Sequence, residues 1–308
     1  MTSSQQRIYF LGITTAGSAV RKVFPAWMEL LGVDATLEPL DIPGGAPAPP
    51  YREFLTTLLG DDRCLGAVIT AHKTAVFRHA GDLLGGIEPL ARHFEEVSVL
   101  FHGADGLTGT VIEQDSIATT LERMGGGTPI VRPDADIVVF GAGGTAISLI
   151  ACLTSPTWEH QPRVLHLVDL SAERLQHARE IATRAARPLV VQTHHTTGDG
   201  SLSDVGRLPP GTLIVNATGL GKDRPGAPFA LPAPWPQRAH AWDLNYRGEL
   251  LMLDAARQAP AELGVTAHDG WHLFVNGWAE SLVRIIGREI SAAELEEMDV
   301  VASRVRGT

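Results

Sequence analysis

Along the chain, short continuous apolar runs alternate with stretches whose apolar residues recur every three or four positions, and this alternation occurs twice. In the first half, Ile8–Ile13 (IYFLGI) has the character of a buried strand and Ala19–Leu31 that of a helix in spite of Pro25. Ala35–Ile42 returns to strand, Tyr51–Leu59 to helix and Leu65–Thr70 (LGAVIT) to strand, a βαβαβ series. A helix over Thr74–Leu84 follows, then a hairpin-like pair, VSVLF and LTGTVIE, turning at Ala104–Gly106, then a short helix through Leu121. Glycine and proline interrupt at Met124–Ala135 (MGGGTPIVRPDA), the composition of a joint and a candidate hinge between domains.

The second series is more strongly apolar. DIVVFGAGGTAISLIACL (Asp136–Leu153) predicts strand, tight turn and helix, RVLHLVDL a strand and Ala172–Arg184 a helix. PLVVQTH, GTLIVNA and AHAWDL predict three more buried parallel strands. From about Leu273 the pattern is helical, with Ser291 and Glu294 at capping-box spacing before the last helix. No repeat of solenoid length is present. The expected fold class is α/β in two domains. The two series divide at about 120/121.

Composition narrows the function. The chain of 308 residues is 44% hydrophobic and 19% charged, suited to two packed cores. A net charge of -10 with scattered basic residues argues against nucleic acid or an anionic membrane and for a small polar substrate. The apolar run at Ile137–Leu153 is broken by GAGG and lacks the flanks of a membrane span. No secretion leader is visible in MTSSQQRIYFLGITT, so a cytoplasmic location is expected. Cys64 and Cys152 provide neither a disulfide framework nor a zinc set, and the histidine spacings fit no metal pattern, so no metal is expected.

GAGGTA fits the GxGxxG/A fingerprint: Gly141 for the tight turn, Gly143 for close approach of a diphosphate, and Ala146 for helix–sheet packing. Ala142, Gly144 and Thr145 complete the cradle at the helix N-terminus, where free N–H groups and the dipole favour an anion. Asp169, ending the next strand, stands where a carboxylate would accept from the adenosine ribose, which favours NAD; it also suits a helix cap. Arg174, five residues on, leaves NADP as the less favoured cofactor.

An HK pair after an apolar strand, an aspartate beyond a hairpin, GAGGTA, NATGLG and DLNY occur in the order of the shikimate dehydrogenase family, whose motifs read NVTxPHK, GxNTD, GAGGAA, NATSxGM and DxxYxP. The resemblance covers nearly the whole chain and implies an α/β substrate-binding and catalytic domain of residues 1–120, completed by C-terminal helices returning in 271–308, and a Rossmann-type dinucleotide-binding domain of 121–270. It implies a catalytic pair of Lys73 and Asp115 coupling proton movement at oxygen to hydride movement at carbon. It further places Asn216, Ala217, Thr218 and Gly221 beside the nicotinamide, and Ser18, Ser98, Tyr246 and Asn276 at the substrate. The departures lie in the recognition segments. Val20 replaces a serine of the family's opening motif, Ser98 an asparagine, and Glu113 the asparagine of NTD. Valine donates no hydrogen bond and a carboxylate repels an anionic substrate, so the substrate is expected to be a cyclic hydroxy acid or related alicyclic alcohol other than shikimate. The competing expectations are a methylenetetrahydrofolate dehydrogenase-like enzyme and a catalytically idle, dinucleotide-binding redox sensor. A homodimer is a candidate assembly.

Overall fold

In a computed structural model the described residues are 5–197, 205–222, 225–231 and 234–306; Met1–Ser4, where the segment read for a secretion leader begins, lie outside them. The chain divides into two compact units, residues 1–112 with 277–308, and residues 113–276.

Unit 1 contains β1 (Gln6–Gly12), α1 (Val20–Leu31), β2 (Ala35–Asp41), α2 (Ala48–Leu59), β3 (Cys64–Ile69), α3 (Lys73–Ala80), β4 (Gly86–Ile87), α4 (Pro89–Phe94), β5 (Val99–Gly103) and β6 (Gly106–Thr110). The sheet runs β2-β1-β3-β5-β6-β4. β1 pairs in parallel with β2 and β3, while β5 is antiparallel to both β3 and β6. Ile8–Leu11 is buried without interruption, which explains its continuous apolar run. α1 buries Val23, Phe24, Trp27, Met28 and Leu31 at helical spacing around Pro25. α2 starts earlier than the apolar pattern indicates, because Pro49 and Pro50 occupy the first turn, where a missing N–H breaks no intrahelical bond. β5 and β6 form the expected hairpin, closing with Gly103 opposite Gly106.

Unit 2 contains α5 (Glu113–Gly125), β7 (Ile137–Phe140), α6 (Gly144–Thr154), β8 (Leu165–Asp169), α7 (Ala172–Arg184), β9 (Val191–His195), β10 (Leu213–Asn216), β11 (His240–Asp243), α8 (Leu251–Arg257) and β12 (Thr266–His268). Its strands are all parallel in the order β9-β8-β7-β10-β11-β12, the 3-2-1-4-5-6 arrangement of a doubly wound dinucleotide fold. The order reverses between β7 and β10, so their loops border the crevice at the carboxyl ends of the strands.

The unit boundary falls at 112/113, where the sequence suggests 120/121. Ile117 and Leu121 of α5 are buried in the same core as Leu149 and Leu153 of α6. The glycine-rich stretch expected to join domains therefore lies within unit 2, where buried Ile130 and Val131 tie it to that core. α9 (Trp271–Ile286) crosses the second boundary, at 276/277 where 270/271 is expected, and α10 (Ala292–Arg306) belongs to unit 1. Within unit 1, Trp27 Nε1 donates to the Met298 carbonyl of α10 at 2.9 Å. The capping box forms: Ser291 Oγ accepts from Glu294 N at 3.2 Å, and Glu294 Oε2 accepts from Ser291 N at 2.8 Å. Among the described residues no helix is long and apolar enough to cross a membrane.

Candidate active site

The glycine turn has the geometry its sequence demands. Gly141 adopts φ +96°, and a Cβ there would lie 2.7 Å from the Ala217 carbonyl oxygen, so only glycine fits. A Cβ on Gly143 or Gly144 would meet nothing within 4 Å. The space above the start of α6 is open, and no acidic side chain stands in its first turn. Ala146, 1% exposed, brings α6 close to the sheet, while Thr145 is exposed at its start. N–H groups of a first helical turn lack intrahelical partners, so this cradle fits the diphosphate of a dinucleotide.

Asp169 is more deeply engaged than the fingerprint implies. Its Oδ2 accepts from Ala142 N at 2.7 Å, and its Oδ1 from Ser171 N at 2.7 Å and Arg174 Nη2 at 2.6 Å. Burial pushes the carboxyl pKa up, but the hydrogen bonds from Ala142, Arg174 and Ser171 outweigh it and hold Asp169 below the usual carboxylate range. The residue that the sequence suggests for the ribose anchors the glycine turn, and Arg174 is its ion-pair partner.

The loop after β10 is fixed by amides. Asn216 Nδ2 donates to the Leu220 carbonyl at 3.1 Å and to Asp243 Oδ2 at 3.0 Å, while its Oδ1 accepts from Thr218 N and Oγ1. Ala217 N donates to the Phe140 carbonyl at 2.8 Å, tying the loop to β7. Gly221, at φ +85°, accepts from Glu249 N at 2.7 Å. Asn245 Nδ2 also reaches the Leu220 carbonyl, at 3.0 Å. Asp243, 1% exposed, has its pKa raised by burial in spite of the Asn216 and Asn245 donors. Asp243 and Asn245 were not singled out from the sequence; the signal was the polar DLN closing an apolar strand.

Tyr246 is half-buried, its ring 5.3 Å from Trp271 and 5.2 Å from Phe274. Asn276 is 0% exposed. Its Oδ1 accepts from Arg123 Nη1 at 3.0 Å and its Nδ2 donates to Thr120 Oγ1 at 2.8 Å, so it fastens α9 to α5, a structural task the substrate assignment did not include. Glu113 and Asp115 occupy the first turn of α5, the end of a helix dipole that favours carboxylates. Asp115 is exposed.

In unit 1, Ser18 lies in the turn after β1, half-buried, and Lys73 is the first residue of α3, just beyond β3. β1 and β3 are neighbouring parallel strands, so both segments leave the same edge of the sheet. His72, 4% exposed, is held on both nitrogens: Nε2 donates to the Ile42 carbonyl at 2.8 Å, which leaves Nδ1 to accept from Tyr51 Oη at 3.1 Å. Ser98, 2% exposed, accepts from Ile112 N at 3.3 Å and donates to the Thr110 carbonyl at 3.4 Å. Lys73 belongs to unit 1 and Asp115 to unit 2. Burial pushes the Cys64 thiol up to about 11 and the Cys152 thiol up to about 12, which removes both as nucleophiles at neutral pH. Among the described residues no group of three or more histidine, cysteine or carboxylate side chains could hold a metal ion.

No protein-family model and no curated protein matches the sequence. Solved structures match over almost its full length. One is quinate dehydrogenase from Corynebacterium glutamicum in complex with NAD, with TM-score 0.74 and 20% identity over 97% of this chain and 99% of that one. Another is shikimate 5-dehydrogenase from Thermus thermophilus in complex with NADP(H) and shikimate, with TM-score 0.72 and 20% identity over 98% and 100%. The ligand-free 5-ketofructose reductase of Gluconobacter sp. strain CHM43 matches with TM-score 0.70 and 18% identity over 99% and 100%. In fold, the chain is shikimate dehydrogenase-like.

Proposed function

We propose that the chain is an NAD(P)-dependent dehydrogenase that moves a hydride between nicotinamide and the hydroxyl-bearing carbon of a cyclic hydroxy acid or related alicyclic alcohol, with NAD favoured and shikimate not the preferred substrate. The observation that carries this is the open glycine turn at the reversal point of a 3-2-1-4-5-6 parallel sheet. Support for the substrate class comes from the neighbours that share the fold, among them a quinate dehydrogenase with NAD and a shikimate dehydrogenase with NADP(H).

When bound, the nicotinamide supplies or accepts the hydride. The first-turn N–H groups of α6, at Gly143, Gly144 and Thr145, hold the diphosphate. Asp169 stays ionised and repels a 2′-phosphate, which supports NAD, while Arg174 is the group that would turn toward NADP. Lys73 hydrogen-bonds the substrate oxygen and holds or releases its proton, with Asp115 as its carboxylate partner. A cation at the N-terminus of α3 is at the unfavourable end of the helix dipole, which supports a role for Lys73 beyond solvation. Ser18 and Tyr246 contact substrate, while Ser98 and Asn276 shape its wall through the backbone and side-chain bonds they already make. Val20, 0% exposed, lies in the core and offers no hydroxyl, in keeping with a substrate other than shikimate.

A panel of alicyclic alcohols with NAD, followed by absorbance of the reduced cofactor, tests the assignment. Lys73→Ala and Asp115→Asn should each lower turnover by about 10²–10⁴-fold while NAD still binds. NAD binding by the wild type without turnover of any cyclic hydroxyl compound would replace the enzyme with a redox sensor.

A further inference from the structure

We propose that unit 2 carries a second small-molecule site, at the end of α6 remote from the glycine turn, and that this site binds an organic ammonium ion with an apolar body. The proposal goes beyond the dehydrogenase reading and does not depend on it.

A cavity of about 370 Å³ opens between the last turn of α5, the loop at 127–131 and the turn at 157–160 that follows α6. That volume is within the range of small-molecule sites. Every lining residue belongs to unit 2. α6 starts at the glycine turn and runs for 11 residues, about 16 Å, so the cavity is at the far end of that helix from the diphosphate cradle. Leu121, Ile130, Val131 and Trp158 supply apolar wall, and Glu122 and Glu159 supply its charge.

Three observations give the sign of the ligand. No lysine or arginine lines the cavity. Glu122 and Glu159 are exposed, and among the described residues neither carboxylate pairs with a cation. The neighbouring basic groups are engaged elsewhere: Arg123 Nη1 donates to Asn276 Oδ1 at 3.0 Å, Arg132 pairs with Asp134 at 3.1 Å, and Arg163 pairs with Asp136 at 2.7 Å. Arg187 donates to the carbonyls of Ser155, Trp158 and Glu159 and so braces the turn. Third, α5 and α6 end here, at Gly125 and Thr154, and the carboxyl end of a helix dipole favours a cation.

Trp158 gives the body of the ligand. It is 8% exposed, yet its Nε1 is buried with no acceptor among the described residues. An unmatched buried N–H is destabilising, and phenylalanine would fill core space without one. What indole adds is the most favourable aromatic face for a cation. Trp158, Leu121, Ile130 and Val131 belong to the core that also holds Leu149 and Leu153 of α6, so the wall needs little ordering on binding. An ammonium beside the two exposed carboxylates, with its apolar body against this wall, meets each of these features.

The test uses ¹⁹F NMR of the full chain labelled with 5-fluorotryptophan, where Trp158→Phe assigns one of the six tryptophan signals. Phenethylammonium at millimolar concentration should shift the Trp158 signal selectively. 2-Phenylethanol and 3-phenylpropionate, of similar size but neutral and anionic, should bind at least about 10-fold more weakly. Glu122→Gln combined with Glu159→Gln should weaken the amine by about 10-fold while the remaining signals and Tm stay as in the wild type. The single variants, at about 3-fold each, serve where the double variant loses its fold. The shift should persist in saturating NAD. An absent shift, a shift spread over all six signals, an equal response to the alcohol, unchanged affinity in the carboxylate variants, or displacement by NAD overturns the site. None of these outcomes involves turnover, so the dehydrogenase reading stands or falls separately.

Discussion

Two strand-to-helix turns, β7–α6 in unit 2 and β3–α3 in unit 1, solve opposite electrostatic problems with the same backbone device. The first clears side chains away: Gly143 and Gly144 leave the positive end of α6 open, which suits an anion. The second does the reverse, placing Lys73 at the positive end of α3 behind a histidine locked on both nitrogens. A helix start is thus a binding site when bare. When it bears a cation, the helix dipole opposes that charge, and the mismatch marks where to look for chemistry.

Substitutions can break this contrast. The largest effect is expected at Gly141: Gly141→Val forces a left-handed backbone on a β-branched residue and drives its Cβ into the Ala217 carbonyl. Calorimetry should show NAD affinity lost by more than about 100-fold, with a fall in Tm of several degrees, on the order of 1–2 kcal/mol or more. Gly143→Ala is the paired control, since its methyl enters open space. It should leave Tm nearly unchanged and weaken NAD alone; equal losses of stability at both positions would show that the cradle is a structural turn. Next in size is Tyr51→Phe, which strips the donor from buried His72 Nδ1 and should cost about 1–3 kcal/mol in urea unfolding. The smallest effect on stability is expected at Lys73: Lys73→Met should leave Tm nearly unchanged while turnover is lost. A destabilised Lys73→Met would mean that Lys73 belongs to the scaffold.

The parts legible in the sequence were those where local geometry admits few residues. Gly141 needs φ +96°, and Ser291 with Glu294 forms a reciprocal cap; each leaves its signature within a handful of positions. β4, α4, α8 and β12 were missed because each spans too few residues to show a period. The joint at 124–135 was misplaced for a different reason. Its glycines and prolines punctuate the chain as a linker does, while only tertiary packing reveals that Ile130 and Val131 are anchored beside Leu121. Site residues showed the same limit. Sequence order pointed to Asn276, but an amide does not announce its partners, and Arg123 and Thr120 take both ends of it. Asp169 was visible as a strand-end carboxylate; its bond to Ala142 N depends on a turn folding back from 27 residues away.

Unit 1 is assembled from two pieces of chain separated by the whole of unit 2. Trp27, on α1, finds its hydrogen-bond acceptor at Met298, a separation of 271 residues. During synthesis, then, unit 2 is entire while unit 1 still lacks α10, and an indole on α1 must wait for an acceptor translated 271 residues later.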